Sequence, residues 1–105
     1  MIRVSLDASN DGSVKLSASG HSGLAESGSD ILCAAVSALV QTAYLAVKDI
    51  GAEVKMFRDE KNARFEFTVL KDDAHAHDVD VIIRAALIGL KDLSSGYPHN
   101  IKLEV

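Results

Sequence analysis

A single cysteine, Cys33, among 105 residues leaves no partner for an internal disulfide. A disulfide-stapled scaffold is thereby excluded, and a reducing compartment is favoured. The one proline and seven glycines are too few for a collagen-like or low-complexity chain. Tryptophan is absent and aromatics make up only 5% of residues, so the core has to be built mainly from aliphatic side chains. Blocks of basic residues are also missing. Eleven Lys and Arg stand against fifteen Asp and Glu, for a formal charge of -4, which argues against direct binding to nucleic acid. No run of 18 apolar residues is present for a membrane span, and the segment from Met1 to Asn10 lacks the apolar stretch of a secretory signal. A cytoplasmic protein without membrane contact is the expectation.

What remains is 48% apolar and 25% charged, the balance of one globular domain over residues 1–105. Ile2, Val4 and Leu6 alternate with polar residues, the turn formers Ser9 to Gly12 follow, and Val14, Leu16 and Ala18 alternate again, predicting a hairpin. The small residues from His21 to Ser29 predict a loop able to move. From Asp30 to about Ile50 the spacing of Leu32, Ala35, Val36, Leu39, Ala43, Ala46 and Ile50 predicts a helix with Ser29 or Asp30 as its cap. Val54 and Met56, a charged turn from Arg58 to Asn62, and Phe65, Phe67 and Val69 predict a second hairpin. A second helix is expected to start between Asp73 and His77, with Val79, Ile82, Ile83, Ala86, Leu90 and Leu93 as its stripe and Gly96 just past its end. Pro98 then marks a stop, and Ile101, Leu103 and Val105 form a short last strand.

The order β-β-α-β-β-α-β predicts an α+β fold, two helices packed on one face of a mainly antiparallel or mixed sheet. Ile31, Ala34, Ala38 and Leu45 on the first helix, and Val81, Ala85 and Ile88 on the second, lie off the core stripes. They suggest helix–helix packing and a homodimer surface.

With Asp30 as cap, Cys33 is the third residue inside the helix, where free amides and the positive dipole end favour a thiolate. The helical wheel places it at the rim of the core, so a small buried hydrophobe is the competing reading. His21 precedes it by twelve residues. Folded back over the helix start, its imidazole would take the thiol proton and later protonate a leaving amine; otherwise it is an ordinary loop histidine. Asp30 serves as cap, as a partner orienting His21, or as both. Ser37, one turn beyond Cys33, either donates a hydrogen bond to the site or faces solvent. Backbone amides at the helix start, that of Cys33 included, are candidates for an oxyanion hole. His75 and His77, with Cys33 or His99, make only a weak case for zinc because no compact ligand spacing is present. The segment from Gly20 to Gly28 lacks the lysine and spacing of a phosphate loop.

Gly20-His21, Gly28, Asp30 and the run Cys33-Ala34-Ala35-Val36-Ser37-Ala38, with the twelve-residue His-to-Cys interval, closely resemble the ribosomal-processing cysteine protease family Prp. The resemblance extends in outline over the whole chain, in length, element order and motif position. It implies one cysteine protease domain over 1–105, a cytoplasmic endopeptidase that removes the N-terminal extension of a large-subunit ribosomal protein, number twenty-seven in the usual count. Cys33 then matches the family nucleophile and His21 its base, while Gly20, Asp30 and Ser37 match supporting positions. Ser22, Gly23, Leu24 and Gly28 fall in the family's substrate loop, with serine at 22 where alanine is frequent. The family also implies a homodimer, and neither metal nor cofactor enters its expected mechanism. A non-catalytic ribosome-associated assembly protein and a thiol redox switch are the alternatives in other functional classes.

Overall fold

The computed structural model describes residues 1–21, 23 and 30–105. Its elements follow the predicted order: β1 Ile2–Ala8, β2 Val14–Ser19, α1 Ile31–Asp49, β3 Val54–Asp59, β4 Arg64–Val69, α2 Ala76–Gly96 and β5 Ile101–Glu104. The five strands form one mixed sheet in the order β3-β4-β2-β1-β5, antiparallel except for the β1–β5 pair.

Two interleaved crossovers explain why both helices lie on one face. β2 and β3 both run antiparallel to β4, so β2–α1–β3 is a parallel crossover that skips one strand. β4–α2–β5 is a second crossover, passing β2 and β1 in the opposite direction along the sheet. Strand direction and lateral direction reverse together, so two right-handed crossovers place their helices on the same side. There α1 and α2 pack against each other and on the sheet.

The core lies between these layers, with Val4, Leu16, Phe67 and Ile101 from the sheet and Val40, Val47 and Leu90 from the helices fully buried. Tyr44 meets Phe65 edge-on and Phe67 at a tilt, with centroids 5.9 Å apart in both pairs. At these spacings the rings gain quadrupole attraction beyond the area they bury. Gly89 allows the helices to approach: a Cβ there would lie 3.1 Å from Leu39 Cδ1.

Three expectations need correction. The stripe of α1 that is buried is Leu32, Val36, Val40, Ala43 and Val47. Ala35, Leu39, Ala46 and Ile50 are only half-buried, because α1 divides its apolar surface between the sheet and α2. Gly96 is the last residue of α2 rather than a residue past its end, and Tyr97 follows as the cap. Arg58 and Asp59 belong to β3 rather than to the turn. α1 is long and apolar enough to cross a membrane by length and composition. Its buried stripe on the sheet gives it the role of a core helix instead. The off-stripe residues Ile31, Leu45, Val81 and Ile88 are all exposed.

Candidate active site

Asp30 is buried, in extended backbone, and caps α1: its Oδ1 accepts from the amides of Leu32 at 2.9 Å and Cys33 at 3.0 Å. The Ala34 amide starts the helical ladder by donating to the Asp30 carbonyl at 3.2 Å. Capping is thus a built feature of the site, and the carboxylate complements the helix dipole. It also overturns one expectation. The Cys33 amide is committed to the cap, so it is not a spare donor for an oxyanion.

Cys33 is half-buried, at the edge of the apolar core as the wheel predicts. On its open side lies a cavity of about 310 Å³. Cys33, Asp30 and Ser37 from α1 and its cap line this cavity, together with Gly20 and His21 from the end of β2. The residues predicted from separate segments are therefore brought to one hollow. Among the predicted loop residues, Ser22, Leu24 and Gly28 lie outside the described residues. Gly23 is exposed, with φ of 77° and open space around it.

Gly20 directs the chain into the site. Its φ is 92°, and a Cβ would lie 2.4 Å from the carbonyl oxygen of Met1, so a side chain is excluded by both conformation and space. Its amide donates to the Ala63 carbonyl at 3.0 Å, which ties the end of β2 to the β3–β4 turn. Ala63 is itself left-handed, with φ of 49°, a conformation that costs roughly 1–2 kcal/mol in a residue with a Cβ.

The rest of the lining is not read from the sequence: Gln41 from α1, and Arg58, Asp59, Glu60, Arg64 and Phe65 from the β3–β4 hairpin. The Arg58 guanidinium lies 5.3 Å from the centroid of Phe65, within cation–π range. Arg58 Nη2 donates to Gln41 Oε1 at 3.2 Å, and Gln41 Nε2 donates to Ser37 Oγ at 2.5 Å. Asp59 accepts from the side chain of Asn62 at 2.6 Å and from its backbone amide at 3.2 Å; these bonds hold its carboxyl below the usual aspartate value. Alternation on β3 marks Arg58 as facing the helices, but only tertiary contact joins it to α1. Among the described residues, no cluster of three or more His, Cys, Asp or Glu can hold a metal ion, and His75 pairs instead with Asp72.

Such a hollow, lined by a rim thiol, an imidazole, and hydroxyl, amide and guanidinium groups, suits nucleophilic attack on a bound carbonyl. No curated protein matches the sequence. Among solved structures, the essential ribosomal processing protease Prp from S. aureus, in complex with a covalently linked product peptide, superposes with a TM-score of 0.82. It is 24% identical over 99% of this chain and 98% of that one. The same protease in complex with a substrate peptide gives a TM-score of 0.78 at 24% identity, with the same shares of the two chains. SMU.848 from Streptococcus mutans gives 0.77 at 26% identity, over 99% of this chain and 92% of that one. The family model described as cysteine protease Prp matches residues 1–102. The chain belongs to the cysteine protease Prp family and is a cysteine endopeptidase.

Proposed function

We propose that this protease removes the N-terminal extension of a large-subunit ribosomal protein, number twenty-seven in the usual count, with Cys33 as nucleophile and His21 as its proton partner. The observation that carries the reading is the shared cavity, whose wall contains both Cys33 and His21 beside the capped start of α1. The ribosomal substrate is supported by family membership and by the likeness to the S. aureus ribosomal processing protease.

In this reading His21 accepts the thiol proton, and the sulfur of Cys33 bonds to the scissile carbonyl carbon. The tetrahedral intermediate collapses, the carbon–nitrogen bond breaks, and His21 returns the proton to the leaving amine. Water, deprotonated by the now neutral imidazole, then attacks the thioester and releases the acid and the thiol. Asp30 fixes the turn that carries Cys33, Ser37 supplies a hydroxyl one turn on, and Gly20 sets the path into His21. The segment from Ser22 to Gly28 serves as the substrate loop. No step draws on a metal or cofactor. The active form is a homodimer in the cytoplasm; the exposed Ile31, Leu45, Val81 and Ile88 support a second copy packing on the helical layer.

The test is incubation of the purified protein with the extended ribosomal protein, reading fragment masses. Cleavage at one bond, lost in Cys33→Ala and Cys33→Ser with the circular dichroism spectrum unchanged, is the expected result. Turnover retained by either variant removes Cys33 from the reaction, and an uncleaved substrate leaves the non-catalytic or redox alternatives.

A further inference from the structure

We infer that Gln41 and Arg58 are positioning residues for the reaction, which hold the hydroxyl of Ser37 as a hydrogen-bond donor toward the sulfur of Cys33. The inference rests on Cys33 being the nucleophile. A guanidinium has donors and no acceptor, so the atom of Gln41 that faces Arg58 has to be the amide oxygen. The contact of Arg58 Nη2 with Gln41 Oε1, 3.2 Å, therefore fixes the amide orientation. The NH₂ group is then the one that faces Ser37, 2.5 Å away, and Ser37 Oγ accepts. A hydroxyl has one proton, and with its oxygen engaged from the Gln41 side that proton is directed elsewhere.

Two features direct it to Cys33. Side chains four apart on a helix are neighbours, and Cα–Cβ bonds tilt toward the N-terminus, so Ser37 leans over the turn of Cys33. The Cys33 amide is consumed by the Asp30 cap at 3.0 Å, so a thiolate gains from a donor on a side chain. Without Gln41, the serine hydroxyl would be free to donate instead to the carbonyl one turn back, as helical serines do. Arg58 is anchored in turn over the ring of Phe65.

The charged or titratable groups lining the cavity around Cys33 are His21 beyond β2, Asp30 at the cap, Arg58 and Asp59 on β3, Glu60 in the turn and Arg64 on β4. None is altered in Gln41→Met, so that variant isolates the hydroxyl. The experiment measures alkylation of the native protein by iodoacetamide from pH 5 to 10, with kcat and KM on a peptide substrate beside it. In Gln41→Met the alkylation profile is expected to move up by about one pH unit, and kcat to fall about tenfold at unchanged KM, the scale of one hydrogen bond to an ion. Ser37→Ala gives the same shift, and adding Gln41→Met to it gives nothing more. Arg58→Lys, which keeps the charge but not the guanidinium fork, gives a smaller shift that vanishes in the Gln41→Met background. An unmoved profile in Gln41→Met with kcat intact, or full additivity with Ser37→Ala, overturns the inference. Alkylation requires no substrate, so a wild-type protein that is alkylated but leaves the ribosomal protein whole refutes the proposed substrate while these profiles still judge Gln41 and Arg58.

Discussion

Replacing Asp30 tests whether the cap is structural, chemical or both. Asp30→Ala removes the acceptor for two amides, those of Leu32 and Cys33, in a residue only 8% exposed. Loss of an Asp cap costs about 0.5–2 kcal/mol, and two donors stripped of a partner at a poorly hydrated site place this case near 2. For a domain of this size each kcal/mol lowers Tm by about 4–8 °C, so Asp30→Ala is expected to melt about 8–16 °C lower in a calorimeter. Asp30→Asn keeps an oxygen acceptor and loses only the charge opposite the helix dipole, which costs about 0.3–1 kcal/mol; its Tm falls by no more than about 8 °C. The cleavage rate then separates the roles. A rate that tracks folded fraction in Asp30→Asn confines the carboxylate to capping, whereas a tenfold loss in a stably folded Asp30→Asn gives it a part in orienting His21. A Tm in Asp30→Ala within 1 °C of the wild type would refute the capping argument outright.

Two further outcomes follow from named contacts. Gly20→Ala meets both a φ of 92° and a Cβ position 2.4 Å from the Met1 carbonyl oxygen, whereas Gly23→Ala at φ of 77° meets open space. Gly23→Ala is expected to cost about 1–2 kcal/mol of stability, and Gly20→Ala clearly more, with loss of cleavage as His21 is displaced; equal melting temperatures would show the Met1 contact to be unimportant. If the helical layer is the dimer surface, Leu45→Glu with Ile88→Glu converts the protein to monomer by light scattering at unchanged helix content, and a dimer that persists assigns the interface to another face.

The elements were legible because the two periods differ: alternation over Ile2 to Leu6 and Phe65 to Val69 cannot be confused with the three-and-four spacing of α1 and α2. Strand order was not, because alternation tells which face of a strand is buried and nothing about its neighbours. The stripe of α1 was misplaced for a related reason. A helix that packs on a sheet and on a second helix is apolar over more than half its circumference, so the wheel alone could not turn Val40 and Val47 to the sheet and Leu39 to Gly89. Cys33, Asp30 and His21 were legible because they fall within thirteen residues around one helix start. Gln41 and Arg58 were not. Seventeen residues separate them, and a glutamine on a helix flank or an arginine in a hairpin carries the same local signal as any solvated polar residue.

The site's electrostatics follow from how the first turn of α1 distributes its donors. A helix start leaves four amides with no carbonyl partner inside the helix, those of Leu32 and Cys33 among them. A serine or glycine cap would leave more of that positive end for a bound anion. The Asp30 carboxylate instead takes two of the four and brings a negative charge to the turn that carries the sulfur. The cap thus orders the backbone around Cys33, and in the proposed reaction the donors left to face the sulfur are carried on side chains such as Ser37 and His21. Main-chain donors are set by the fold and are the same for any sequence that adopts it. Side-chain donors depend on what holds them, which is why, in the proposed reaction, the bonds from Arg58 to Gln41 and from Gln41 to Ser37 bear on the chemistry of Cys33.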